Sequence, residues 1–305
     1  MNRRDFFAKG IGVGVVAGVG MSMGAFNPLS ASPAAANPID LVAVKGGEAA
    51  AMFDKAIAAL GGMSKFVKKG QTVVVKPNIG WDKAPEFAAN TNPELVGRIV
   101  EQCLKAGAKK VMVFDFSCDS WQKCYANSGI EKAVKAAGGQ MHPANDESYY
   151  RSVTLKNGKK LKIVKEHHLL QEADVFINVP VLKSHGGATV SIAMKNLMGV
   201  VWDRGFYHKN DLHQCIADYL THRKPDLNVI DAYRVMKRNG PKGVSTSDVV
   251  LMKSLIISTD IVAADAAATK LFGLEPSSIG HIDMAHKMGH GQIDLDKLNI
   301  QRIKM

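Results

Sequence analysis

Two hydrophobic patterns alternate along the chain. Short continuous β-branched runs are followed by longer segments in which apolar residues return every three or four positions. The first pattern predicts buried strands and the second amphipathic helices. Leu41–Val44 is the first strand, and GEAAAMFDKAIAALGG is a helix ended by Gly61 and Gly62. Gln71–Val75 is a second buried strand that runs into Lys76-Pro77-Asn78-Ile79-Gly80-Trp81. Asn92 stands where it can cap a helix that has Pro93 at its first position and reaches Ala106-Gly107. Lys110–Phe114 is the third strand, ending in Asp115-Phe116-Ser117. A helix at Gly129–Ala137 and a strand near Gln140 continue the alternation. The order predicts an α/β fold with a mostly parallel central sheet and helices on both faces.

The pattern changes at Ser152. SVTLKNGKKLKIV alternates around Asn157-Gly158, which predicts a β-hairpin insertion or a sheet edge. The apolar run DVFINVPVL then reads as one buried strand feeding Lys183-Ser184-His185-Gly186-Gly187. Its paired glycines permit a turn in which backbone approaches a ligand closely. A segment with helical spacing follows, carrying Lys195 and Asn196 and ending at Gly199. Further on come a helix at Asp211–Leu220, a strand at Leu227–Ile230 leading to Asp231, and a turn at Asn239-Gly240-Pro241. A strand at Ser254–Ile257 precedes Thr259 and Asp260, either of which can cap the helix IVAADAAATKLFG. Helix Ile279–Lys287 and strand Asn299–Lys304 complete the series.

Several strands end in polar residues: Lys76 and Asn78, Asp115, Lys183 and His185, Asp231, Asp260. Carboxyl ends of parallel strands share one edge, where open α/β sheets hold ligands. Asp and Asn after a strand also serve as caps and turn formers. Lysines there fit that explanation poorly, because ammonium groups accept no hydrogen bond. We therefore expect Lys76, Asn78, Ser184 and Asn196 to bind a ligand. Lys183, His185, Lys195 and Asp231 are the candidates for chemistry. In this reading Lys76 and Lys183 orient an anion, His185 transfers a proton and Asp231 orients a partner base. Structural ion pairs with Asp115 or Asp231 are the alternative for the lysines. His185, His208 and His213 are the candidate metal ligands, with solvated loop positions as the alternative, since their spacing fits no tight metal motif.

Composition narrows the class. With 305 residues and 46% hydrophobic content the chain can build one large α/β domain or two smaller ones. The net charge of +11 comes mainly from scattered lysines, without an Arg-rich block or interleaved aromatics. That favours small anionic ligands or an anionic surface over nucleic acid. Among Cys103, Cys118, Cys124 and Cys215 there is no C-x-x-C, so no iron–sulfur cluster or zinc ribbon is written locally. Cys118 and Cys124 could pair in an oxidising compartment. No G-x-G-x-x-G after the first strand, no P-loop lysine and no G-x-S-x-G elbow occurs, so the usual signals of dinucleotide binding, ATP hydrolysis and serine-esterase chemistry are missing.

The first 36 residues read as an address. Arg3-Arg4-Asp5-Phe6-Phe7 precedes an apolar, glycine-rich run and the small residues Ala34-Ala35-Ala36. The paired arginines resemble the twin-arginine export signal, with Asn2 where Ser or Thr is usual and Lys9 one place late. The resemblance implies a periplasmic protein that meets the twin-arginine machinery already folded; an ordinary secretory signal or an uncleaved membrane anchor is the alternative. That route commonly serves proteins carrying a cofactor. Residues 37–305 then form a single α/β domain.

KPNIGW at Lys76–Trp81, VPVLKSH at Val179–His185 and AMKNLMGVV at Ala193–Val201 resemble the family called domain of unknown function 362. So do LNVIDA at Leu227–Ala232, NGP at Asn239–Pro241 and STDIVAADAAATKLFG. Many relatives carry a ferredoxin-like iron–sulfur module, whose cysteines this chain lacks, so direct electron transfer through its own cluster is not expected; an exported redox protein is a candidate partner. His185 followed by Lys195 is also similar to part of the nickel-pincer lactate racemase family, where such residues hold an organometallic nickel cofactor. The glycine pair that precedes the lysine there is absent here. Together these features predict a cofactor- or metal-dependent enzyme of redox or isomerase type acting on a small anion, or else a non-catalytic binding or maturation protein.

Overall fold

The computed structural model describes residues 38–305, and the expected export signal at residues 1–36 lies outside the described residues. The strands are β1 (Leu41–Lys45), β2 (Thr72–Pro77), β3 (Lys110–Val113), β4 (Gln140–Met141), β5 (Tyr150–Thr154) and β6 (Ile163–His167). They continue as β7 (Val175–Val179), β8 (Val181–His185), β9 (Thr189–Ser191), β10 (Leu227–Met236), β11 (Val249–Ser258) and β12 (Ile300–Lys304). One ten-stranded sheet has the main path β12-β1-β11-β10-β7-β2-β3-β4, with β8 paired to β10 and β9. Strand pairs β12-β1, β10-β7, β7-β2, β2-β3 and β3-β4 are parallel. Strand β11 is antiparallel to both of its neighbours.

Successive strand residues face opposite sides of a sheet, and both sides are covered. Val42, Val44, Val73, Val75, Val111 and Val113 pack in one core with the helices Ala49–Ala59 and Pro93–Lys105. Leu41, Ala43, Val74, Met112, Ile230 and Ile256 belong to the other core, with the helix Ile261–Phe272. The fold is thus α/β with a mostly parallel sheet and helices on both faces. Caps fall where the sequence puts them. Asn92 Oδ1 accepts from the N–H groups of Glu94 at 2.9 Å and Leu95 at 3.2 Å. Asp260 Oδ1 accepts from Val262 and Ala263 at 2.8 and 2.9 Å.

Three local expectations are corrected. The run DVFINVPVL is two strands, β7 and β8, broken at Pro180, which has no N–H to give a ladder. The hairpin β5-β6 exists as a separate two-stranded sheet, but its connection spans more than Asn157-Gly158. Leu155 N–H donates to Lys162 O at 2.8 Å, beyond the last paired residues Thr154 and Ile163. Finally, β11 runs antiparallel and ends with Ser258 opposite Leu41 and Asn228, so Asp260 follows it at the amino ends of β1 and β10 and not at a shared carboxyl edge.

Candidate functional site

A cavity of about 530 Å³ lies at the carboxyl end of β2, roofed by the β8–β9 turn and by the segment after Ile192. Lys76, Asn78, Lys183, His185, Lys195, Asn196 and His208 all line it. Four segments therefore deliver the expected residues to one place.

Lys76 is fully buried near the end of β2. Its Nζ lies 2.8 Å from Asp115 Oδ1, and it donates to Asn196 Oδ1 at 2.8 Å and to Pro77 O at 2.9 Å. Burial lowers its pKa, and the Asp115 carboxylate opposes that shift. Asp115 Oδ2 also accepts from Ile79 N–H at 2.6 Å. The pair is sealed by Gly199, where a Cβ would sit 1.9 Å from Asp115 Oδ1 and 2.7 Å from Lys76 Nζ. Only glycine lets the KNLMG backbone come this close.

A chain of amides leads from this ion pair through the sheet. Asn196 Oδ1 faces Lys76 and accepts from Asn78 Nδ2 at 3.2 Å, which fixes both amide orientations. Asn196 Nδ2 donates to Asn178 Oδ1 at 2.8 Å, and Asn178 Nδ2 donates to Asn228 Oδ1 at 3.1 Å. Asn78 Oδ1 is thereby turned to Lys183, whose Nζ donates to it at 2.8 Å and also to Ala89 O. Lys183 is 1% exposed, and no carboxylate pairs with it among the described residues. Burial pushes its pKa down to about 7.

Lys195 rides on the short helix Ala193–Asn196, whose first N–H groups are gripped by a buried carboxylate. Asp265 Oδ1 accepts from Ala193 at 2.7 Å and Asp265 Oδ2 from Met194 at 3.0 Å. The Lys195 amine has neither a hydrogen-bond nor an ion-pair partner among the described residues. Burial first, and then nearby Arg204 and Lys76, pull its pKa down to about 8. Arg204 lies 3.9 Å above the Phe116 ring and donates to Phe116 O at 2.8 Å and Ser117 O at 3.0 Å. It also reaches Cys118 Sγ at 3.4 Å. His185 Nδ1 accepts from the N–H groups of Gly187 and Ala188, both at 3.1 Å. That leaves the proton of a neutral ring on Nε2. Burial, then Lys195 and Lys183, push its pKa down to about 3, so the ring is neutral near pH 7.

Other expected residues lie elsewhere. Ser184 shapes the wall from behind: its Oγ accepts from Gly240 N–H at 3.0 Å, and a Cβ on Gly240 would meet Ser184 O at 2.0 Å. Asp231 is not at a strand end but inside β10, and it does not line the cavity. It accepts from Asn92 N–H at 2.7 Å and Tyr233 N–H at 2.9 Å, so it ties backbone together instead of orienting a base. Burial raises its pKa to about 6. His213 is also away from the cavity, stacked on His281 with the two Nδ1 atoms 3.0 Å apart. His185 and His208 thus lack their third partner, and no three His, Cys, Asp or Glu converge as metal ligands among the described residues. With Nδ1 of His185 held by its own turn, this donor set does not fit a metal ion bound by those three histidines. Cys118 and Cys124 are both free; Cys118 is exposed and lines the cavity, whereas Cys124 is buried. Arg204, Cys118 and the buried amides Asn178 and Asn228 are the members of this network that sequence reasoning missed.

Fold and site together define an α/β protein with a lysine-rich cleft at the carboxyl edge of its sheet. The chain belongs to the family described as Domain of unknown function (DUF362), whose model matches residues 73–270. It is similar to a thylakoid-associated protein of Synechocystis sp., 27% identical over 245 residues, covering 75% of this chain and 72% of that protein. Two solved structures are similar over part of their length. The lactate racemase apoprotein from Thermoanaerobacterium thermosaccharolyticum matches 83% of this chain and 57% of its own, with a TM-score of 0.45 and 14% identity. A protein from Thermotoga maritima matches 78% of this chain and 59% of its own, with a TM-score of 0.46 and 10% identity. The chain therefore spans less than two thirds of either structure.

Proposed function

We propose that the cleft binds a small anion, a carboxylate or phosphate, and that the protein is an enzyme of redox or isomerase type acting on the molecule that bears it. One observation supports this above the rest. Among the described residues lining the cavity, Lys76, Lys183, Lys195 and Arg204 face a single carboxylate, Asp115, which is paired with Lys76. Like charges in one cleft repel unless an anion intervenes. Lys195 and Arg204 form the seat in this reading, and His185 offers an Nε2–H beside them. A cofactor, if one is used, would rest its own anionic groups on these cations. The export signal expected in residues 1–36 supports a periplasmic site of action, with an exported redox protein as candidate partner.

Calorimetric titration with inorganic phosphate and with acetate tests the seat. Saturable binding that weakens with salt is expected; no binding of either anion at millimolar concentration would sink the proposal. Elemental analysis and native mass of the exported protein separate the enzyme from a binding or maturation protein. A stoichiometric cofactor favours the enzyme. A clean apo mass that still binds anions favours the binder.

A further inference from the structure

We propose that Lys183 is a nucleophilic amine that condenses with the carbonyl of a 2-oxo acid whose carboxylate lies on Lys195 and Arg204. The inference rests on reading the cleft as an anion site and names the chemistry of the anion.

The geometry around Lys183 fits a neutral amine. An ammonium group carries three N–H donors, and a neutral amine carries two with one lone pair. Lys183 Nζ has two acceptors, Asn78 Oδ1 and Ala89 O, both uncharged amide oxygens. A third N–H has no protein acceptor among the described residues, so an ammonium here would depend on solvent or a ligand in the cavity, as the neutral amine does not. The neutral amine satisfies both acceptors and leaves its lone pair over, in a residue that lines the cavity. Asn78 cannot turn its amide to offer a donor instead, because its Nδ2 is engaged with Asn196. The pKa of about 7 agrees with the hydrogen-bond count. Charged and titratable groups near Lys183 are Lys76, Lys195, Asp115 and Cys118, with His185 beside it. The two cations favour the neutral amine, and Asp115 opposes them from its pairing with Lys76. Desolvation beside other cations is a recognised way to prepare a lysine for attack on a carbonyl.

Lys76 lacks this character because its ammonium is held by Asp115, Asn196 and Pro77. Lys195 and Arg204 remain to receive the carboxylate. The step balances without an oxidant or reductant. The Lys183 lone pair attacks the carbonyl carbon, and the carbonyl π pair moves to oxygen, which takes a proton to give a carbinolamine. Nitrogen then forms the C=N bond as the hydroxyl leaves with a second proton as water. The two protons lost by nitrogen balance the two gained by oxygen, so amine and carbonyl become imine and one water. An imine draws electron density from the adjacent carbon, which suits an isomerase-type proton transfer there.

The test uses the full-length protein with pyruvate as probe, followed by borohydride reduction and peptide mapping by mass. A reduced adduct is expected on Lys183, in excess over any exposed lysine by more than about tenfold near pH 7, because an unperturbed lysine is almost wholly protonated there. The adduct should be absent from Lys183→Arg and Lys183→Met, and its rate should rise with pH through about 7. Calorimetry with phosphate runs in parallel. Phosphate binding without a Lys183 adduct overturns the imine and leaves the anion seat standing. Adducts spread evenly over surface lysines, or centred on Lys195, overturn it equally. Failure of both experiments removes the seat as well.

Discussion

Lys76 and Lys195 share one cleft but have opposite surroundings, so the same substitution should change different quantities. Lys76→Met leaves Asp115 buried without its partner, and such an uncompensated charge costs roughly 3–5 kcal/mol of stability. Lys195→Met removes an amine that has no protein partner, and stability should hold to within about 0.5 kcal/mol. Anion affinity should instead fall by about 1.5–3 kcal/mol, or roughly ten- to a hundredfold. Urea unfolding and phosphate titration of both variants check the contrast; a large stability loss in Lys195→Met would make that lysine structural. Acidity gives a second test. Binding needs the charged form of Lys195, whose pKa is lowered to about 8. Affinity should therefore hold below that pH and decline as pH rises through it. Because a bound anion favours the ammonium, binding should take up protons above about pH 8. Titrations in buffers of different ionisation heat read that uptake, and proton release would contradict the assignment. The lysines were legible because an ammonium at a strand end has no role as a cap. Arg204 was not, since its place depends on Phe116, 88 residues earlier in sequence. Asn178 could have been found: an amide inside DVFINVPVL must find a partner once buried.

The short helix Ala193–Asn196 is too brief to be stable alone, and Asp265 on the helix Ile261–Phe272 holds its first turn. Asp265→Ala should strand two buried N–H groups, at about 1–3 kcal/mol for each, and should weaken phosphate binding because Lys195 rides on that turn. Gly199→Ala tests the other end of the segment. Its methyl group would overlap the Lys76–Asp115 pair, and overpacking of this kind costs roughly 1–3 kcal/mol. Wild-type melting of either variant would show that the segment can shift without cost. Most elements could be read from periodicity and caps, as Asn92 and Asp260 show. Strand direction could not, because a two-residue period is the same for parallel and antiparallel neighbours. A clue did exist at β11. Residues 237–248 between β10 and β11 hold the Asn239-Gly240-Pro241 turn and no α-helix, whereas parallel strands need a longer crossover, usually helical. Pro180 was a similar clue, since a proline inside an apolar run argues against one continuous central strand.

The sheet closes late, and this bears on how the protein would leave the cytoplasm. Strand β1 lies between β11 and β12, with Leu41 opposite Ser258 on one side and Ile300 on the other. The first strand of the described chain is therefore unpaired until the last two have been made. Such long-range pairing folds slowly and exposes strand edges meanwhile. A route that threads unfolded chains would deliver these strands one by one, with β1 waiting longest. A route that carries folded proteins would let the sheet and its lysine-rich cleft form first. The paired Arg3 and Arg4 fit the second route, and replacing both by lysine separates the two. The Lys-Lys variant should remain in the cytoplasm as folded, protease-resistant protein that still binds phosphate, and wild type should remain there too in a strain without twin-arginine transport. A variant truncated before β12 should leave β1 with a bare edge, resist proteolysis poorly and fail to be exported even with both arginines intact. Unchanged periplasmic yield of the Lys-Lys protein would overturn the twin-arginine assignment. Efficient export of the truncated chain would show that closure of the sheet is not what the route requires.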